Sequence, residues 1–402
     1  MGWLGLDDTD TVKDGCTTFS LHHLLIHLPS SVEVGELRLV RLWPFAHNRT
    51  RGNAAVAVEI KTEDENELMN FLSTYWEQTL QPLVGKIDQS NDHGRQQTPT
   101  DPGMVWYSSL PEKSNFYLDA VQREVTFDQA PKPTRSWGGG GRIGAIAAVV
   151  WPKTNITWEA IAWRMEERWK TTERKVCVQA LTTVSGMDGM FLTRDPRSQR
   201  SLISPRGTCP VLFGVRGRTP EITLEAAKVL VEANDTEGVL GWRMFATNQA
   251  SDDHLKQSYI GTVESVEILT RGTTVITTEH HQWLAFAESG DVKLMAQGLV
   301  LGDRIEAFGL FADANVLHIE KLRTIKKAPI RSRPTCPTCQ RTLKSMGQNQ
   351  GVRCPVCKHR QTQEWIEKEH DEPVGFWVQP PADARRHLAR PLEWLDWPNE
   401  AT

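Results

Sequence analysis

Four cysteines near the carboxyl end leave that part of the chain few ways to fold. Cys336-x-x-Cys339 is followed, fourteen residues later, by Cys354-x-x-Cys357. Each CxxC turn presents two thiolates to one tetrahedral Zn²⁺, and four protein ligands leave no open coordination position, so the metal is structural. A segment this short has too little apolar core to fold without it. The other cysteines, Cys16, Cys177 and Cys209, are scattered, which fits a metal site in a reducing compartment rather than a disulfide framework. From Lys326 to Arg360 there are nine Lys or Arg and no Asp or Glu, so the zinc ribbon reads as a cationic knob suited to a nucleic-acid backbone. A solvated basic face is the plainer alternative.

The 402 residues are too many for one ordinary core. The opening MGWLGLDDTD has acids where a signal peptide needs basic residues, and the apolar run from Ile143 to Trp151 falls short of the roughly 20 residues that span a bilayer. A cytoplasmic location and no membrane partner are expected. Five β-prone runs between Tyr259 and Leu322 predict a small closed barrel, of which the OB-fold is the common nucleic-acid-binding kind. The periodicity of Thr157 to Arg174 predicts an amphipathic helix.

The amino terminus carries the second informative pattern. An apolar strand over Met1 to Leu6 runs into Asp7, Asp8 and Asp10, and a helix follows from Thr17 to Leu28. Three carboxylates at a strand-to-helix turn, aimed at one point, call for a neutralising cation, and Mg²⁺ binds through few carboxylates while leaving room for nucleotide phosphates. Lys13 to Thr18 reads KDGCTT, so Thr17 or Thr18 opens a helix whose free N–H groups suit phosphate; the hydroxyls could equally be plain N-caps. Arg49, Thr50, Arg51, Gly52 and Asn53 pair two guanidiniums with a pliable backbone, an anion clamp and a poor core. Gly138 to Arg142 adds a second glycine-rich approach. No P-loop and no Rossmann fingerprint occurs.

The ordered motifs GLDDTD, GCTTF, RTRGNAAV, GGRIGAIAA, WEAIAWR, CPVLFGVRG and FATNQASDDH, with the two CxxC pairs and RRHLARPL, span nearly the whole chain. In this order they resemble the archaeal tRNA-isoleucine agmatinylcytidine synthetases. That resemblance implies an α+β multidomain protein: a catalytic region over 1–255 made of kinase-like and ferredoxin-like domains, an OB-fold over 256–328, a zinc ribbon over 329–366 and a carboxyl-terminal extension over 367–402. It implies ATP and Mg²⁺ as cofactors beside the structural Zn²⁺. The substrates it implies are agmatine and an isoleucine tRNA with a CAU anticodon, whose wobble cytidine is activated at the C2 oxygen by phosphorylation and then attacked by the agmatine amine. By motif position Asp7, Asp8 and Asp10 carry Mg²⁺ and Thr17 matches an autophosphorylated threonine. Lys13, Thr18, Arg49, Arg51, Gly52, Asn53 and Arg142 fall to ATP and phosphate, and Arg49 stands where the family commonly has lysine. Asn248, Asp252 and Asp253 lie near the amine or form an interdomain turn. Competing readings are another ATP-dependent RNA-modifying enzyme with a different nucleophile, and a non-catalytic RNA-binding protein.

Overall fold

Alternation of side chains along an apolar strand sends Trp3 to one face and Leu4 and Leu6 to the other, and all three are buried. Both faces of the first strand are therefore covered by helices. The computed structural model describes residues 1–11, 13–50, 52–88, 98–112, 114–370 and 373–394. These divide into two compact units, residues 1–256 with 382–391, and residues 257–381 with 392–394.

In the first unit the elements are β1 (Gly2–Asp7), α1 (Thr17–Ile26), β2 (Glu33–Arg41), β3 (Ala54–Lys61), α2 (Glu65–Tyr75), β4 (Gly103–Tyr107) and α3 (Phe116–Gln122). Then come β5 (Arg135–Gly138), α4 (Arg142–Val149), β6 (Thr157–Arg164), α5 (Val178–Ser185), β7 (Met190–Phe191), β8 (Val211–Gly217), α6 (Pro220–Glu232) and β9 (Val239–Thr247). The nine strands form one sheet in the order β5-β4-β1-β3-β2-β9-β6-β8-β7. Its pairings are antiparallel except β2 with β9, where Arg38 faces Ala246 and Leu39 faces Thr247. That parallel seam joins the two halves of the sheet. The small residues of α4 (Ala145, Ala147, Ala148) let it lie close on β1 and β3, while Leu21, Leu24, Leu68 and Leu72 of α1 and α2 cover the opposite face.

The helix expected over Thr157 to Arg174 is not formed. Residues Thr157–Arg164 are β6, flanked by β8 and β9 and buried on both faces. A strand covered on both sides has apolar residues throughout, so its period cannot be told from that of a buried helix, and pairing decides.

The second unit contains β10 (Tyr259–Ile268), β11 (Thr274–Thr278), β12 (Gln282–Ala285), α7 (Asp291–Gln297), β13 (Arg304–Asp313) and β14 (Val316–Lys326). The five strands close into a barrel in the order β10-β11-β12-β14-β13 around Ile276, Trp283, Ile305, Leu317 and Leu322. The expected small barrel is thus present. Helix α7, between β12 and β13, packs its Val292 and Ala296 into this core.

Beyond the barrel lie β15 (Ile330–Ser332), β16 (Lys344–Ser345), β17 (Val352–Arg353), β18 (Arg360–Gln361) and β19 (Ile366–Lys368). The cysteine turns are mutually similar: Cys336 N–H donates to the Arg341 carbonyl and Cys354 N–H to the His359 carbonyl, both at 2.8 Å. Gln340 and Lys358 take the left-handed conformation that closes each knuckle. The four sulfurs lie within 4.8 Å of one another, compatible with a tetrahedron whose Zn–S bonds are about 2.3 Å. The cationic knob is partly neutralised from outside its own run, since Lys327 pairs with Asp303, Arg331 with Glu367 and Arg333 with Glu364. No helix among the described residues is long and apolar enough to cross a membrane.

Candidate active site

The acidic turn begins where β1 ends. Asp7 accepts the Asp8 N–H at 2.7 Å, and Asp8 turns through a left-handed φ of 55° to accept the Asp101 N–H at 2.9 Å. Burial, with Asp8 close by, raises the Asp7 carboxyl well above the usual carboxylate range. Burial, with Asp10 and Asp101 adding repulsion, pushes Asp8 up to about 7. Asp101, whose place in this group no motif announced, is therefore a further member of the acidic cluster. Carboxyls held this way bind a cation or keep protons.

The three carboxylates stay close enough for Asp10 to repel both Asp7 and Asp8, while they border two different cavities. Asp7 and Asp8 border a cavity of about 670 Å³ that also meets Asn53, Phe127, Gly140, Gly141, Ile143 and Gly144. Asp10 accepts from the Thr50 hydroxyl at 3.1 Å and borders a second cavity of about 480 Å³.

The glycine run enters the first cavity. Gly144 leaves room for the Asp7 carboxylate, since a Cβ there would lie 1.9 Å from Asp7 Oδ2 and displace it. The run is held from behind: the Gly140 N–H donates to Asp101 Oδ2 and the Gly141 N–H to the Asp101 carbonyl. Arg142 donates to the Gly139 carbonyl at 2.9 Å and lies over the Phe127 ring, 4.0 Å from its centroid, so it fixes the loop rather than lining the cavity.

The second cavity is built around Thr17 and Thr18 at the start of α1. Thr17 Oγ1 accepts from the Thr9 N–H at 3.4 Å, and Thr18 Oγ1 accepts from Trp163 Nε1 at 3.3 Å. Facing them are Arg41 at the end of β2, Glu159 of β6 and Arg216 of β8. Glu159 is 2% exposed and pairs with Arg216 at 2.9 Å and Arg41 at 3.6 Å. Gln249 donates at 2.5 Å to Glu159 Oε2, the oxygen that Arg41 also approaches. The Nε atoms of Arg41 and Arg216 are buried without a partner among the described residues. Two buried guanidiniums on one carboxylate leave a net positive wall, suited to an anion.

The remaining expected residues are dispersed. The Lys13 N–H donates to Asp88 at 2.7 Å, its carbonyl accepts from Thr208, and Lys13 lines neither cavity. Arg49 donates to the Ala46 carbonyl and borders a third cavity, of about 270 Å³, with Gly52 and Asn53. Gly52 also borders the second cavity and Asn53 the first; Arg51 lies outside the described residues. Asn248 bonds both backbone groups of Arg41 and the Tyr117 hydroxyl. Asp253 accepts from Tyr117 at 2.6 Å, and Asp252 accepts from the Arg390 N–H at 2.7 Å. All three are committed to internal bonds and line none of these cavities.

The partner of that last turn comes from the far end of the chain. Residues 382–391 return to the first unit, where the Ala250 N–H donates to the His387 carbonyl and the Asp252 N–H to the Leu388 carbonyl, each at 2.8 Å. Leu388 is 4% exposed in the core around α4. His387 borders both the second and third cavities, and sequence reasoning did not single it out.

Three family models match the chain: the TiaS TCKD domain over residues 3–138, the TiaS FLD domain over 139–254, and the TiaS C-terminal zinc ribbon domain over 333–371. The isoleucine-tRNA 2-agmatinylcytidine synthetase TiaS of Methanosarcina acetivorans is 30% identical over 97% of this chain and 96% of its own length. That of Ignisphaera aggregans is 29% identical over 97% of this chain and 92% of its own. Among solved structures, the complex of TiaS with its isoleucine tRNA and ATP is similar with a TM-score of 0.78 at 26% identity, covering 99% of this chain and 98% of that one.

Proposed function

The chain belongs to the TiaS family, and from that membership we propose that it attaches agmatine to C2 of the wobble cytidine of isoleucine tRNA with a CAU anticodon, consuming ATP. The observation that carries the reading is the pair of pockets, one bordered by Asp7 and Asp8 against the glycine run, the other by Thr17 against Arg41 and Arg216. The first suits a nucleotide polyphosphate and the second a transferred phosphoryl group.

The donor set fits Mg²⁺, a hard cation that takes one or two carboxylates and leaves its other positions to water and phosphate. Asp7 and Asp8 would hold it, with Asp10 or Asp101 at its margin, and it would offset the charge of the polyphosphate. Gly144 keeps the approach to Asp7 open, and Asp101 holds the loop still. Thr17 would offer its hydroxyl, and Arg41 and Arg216 would draw off the negative charge that arrives with a phosphoryl group. A pyrimidine C2 oxygen is a poor leaving group until it is phosphorylated; the amine then has something to expel.

The architecture is consistent with the domains this assigns. Strands β6 to β9, with α5 and α6, run β-α-β-β-α-β in the order β9-β6-β8-β7, which supports a ferredoxin-like domain within 1–255 beside a kinase-like one. A five-stranded closed barrel supports an OB-fold over 256–328, followed by the ribbon over 329–366 and the extension over 367–402. A cytoplasmic location goes with a tRNA substrate. The test is transfer of labelled agmatine to isoleucine tRNA with ATP and Mg²⁺, with methionine tRNA of the same anticodon as control. Label only in the isoleucine tRNA, and none with Asp8→Asn, is expected. ATP-dependent AMP release without label would keep the nucleotide site and exclude agmatine.

A further inference from the structure

We propose that His387, delivered by the carboxyl-terminal return, is the proton acceptor for the attacking amine; this rests on the reaction proposed above. Gln249 fixes the tautomer of its ring. The Gln249 amide nitrogen donates to Glu159 at 2.5 Å, and a flipped amide would set its carbonyl against the carboxylate, so Oε1 is the atom that faces His387. Nδ1 of His387, 3.1 Å from Oε1, must then carry the hydrogen. Nε2 is left with its lone pair, and no protein group among the described residues bonds it. The ring is surrounded by protein yet exposed, because it borders the two cavities that meet at Arg41 and Gly52.

The two carboxylates at this place are spoken for. Glu159 is occupied by Arg41, Arg216 and Gln249, and Asp10 accepts from Thr50. Around His387 stand Arg41 of β2, Arg216 of β8, Glu159 of β6, Cys16 before α1, Arg49 and His254 across the third cavity, and Arg386 beside it. The nearby Arg41 guanidinium, then burial, then Arg216 hold the imidazole well below the usual histidine range, which keeps it in the basic form at neutral pH.

In the step itself the amine nitrogen bonds C2 while the bond from C2 to the phosphorylated oxygen breaks, and phosphate leaves with that electron pair. The proton shed by the new C–N nitrogen passes to Nε2. Imidazole becomes imidazolium as the phosphate gains its charge.

Single-turnover transfer of labelled agmatine is measured against pH for the full chain, His387→Asn and His387→Ala, with their melting temperatures. Asn keeps a donor toward Gln249 and lacks the second nitrogen. We expect the wild-type rate to fall on an acid limb, His387→Asn to be slower by about 100-fold or more without that limb, and added imidazole to restore transfer to His387→Ala. A folded His387→Asn protein with the wild-type rate and limb overturns the proposal, as does a slow His387→Ala protein that imidazole leaves unchanged. Absence of label with wild type at every pH sinks the agmatine reading and this one together; wild-type transfer with an unaffected His387→Asn sinks this one alone.

Discussion

Glu159 sits on β6 between β9 and β8, with 2% of its surface exposed and two guanidiniums against it. Removing one partner of such a group strands the others, so Glu159→Ala is expected to destabilise the protein by about 3–5 kcal/mol, read by urea unfolding of the full chain. A second residue ties stability to pH. His22 accepts from Arg243 Nε at 2.9 Å through Nδ1 and stacks on Trp163, and burial, then Arg243, then His23 push its pKa down to about 4. The unfolded chain therefore takes up this proton first. The contribution of His22 is complete above about 6.5 and is lost as pH falls from there toward 4. Melting temperature should drop over that window, and a His22→Phe protein should show a shallower drop; an equal drop would exclude His22 as the source. At this scale the acids and threonines of the first turn were legible, because they are neighbours in sequence. Asp101, Glu159 and His387 were not: each gains its meaning from a partner far along the chain.

Elements differ in how openly their sequences declare them. The barrel strands were legible because turn residues separate short β-prone runs, whereas β6 was misread because a strand buried on both faces loses its alternation. The zinc ribbon was the most legible element, since its spacing encodes the knuckle. Among the described residues its hydrophobic cluster holds just Leu343 and Val352 beside Cys336 and Cys354. Chelation of the full chain is therefore expected to release zinc and unfold the ribbon while leaving the first unit's melting transition in place. The aromatic reporter is Trp365, half-exposed with its ring 4.0 Å from the Arg333 guanidinium, and its fluorescence should shift as that stacking is lost. Unchanged Trp365 fluorescence after zinc release would mean the cysteines are not what holds this element. The left-handed Lys358 gives a finer test: Lys358→Gly should raise resistance to chelation, since glycine adopts that turn without strain.

Across the molecule, the single sheet unites two regions that the sequence motifs present as separate, and its parallel seam could not be seen in either strand alone. The first unit also borrows residues 382–391. Leu388→Ala should cost about 2–5 kcal/mol in the first unit, measured as a loss of its denaturation midpoint, while the barrel and ribbon keep theirs. A midpoint unchanged by Leu388→Ala would show that the returning segment merely rests on the surface.

This return also sets a timetable. A ribosome making this chain finishes the nine strands and then threads out the barrel and ribbon before Leu388 appears, on the order of ten seconds at typical synthesis rates. Through that interval the nascent sheet has an unfilled slot in its wall and no His387 beside Thr17. A message cut short anywhere in the second unit would therefore yield a protein that has every acid and glycine of its first pocket, yet is left unsealed and open to the cell's degradation machinery.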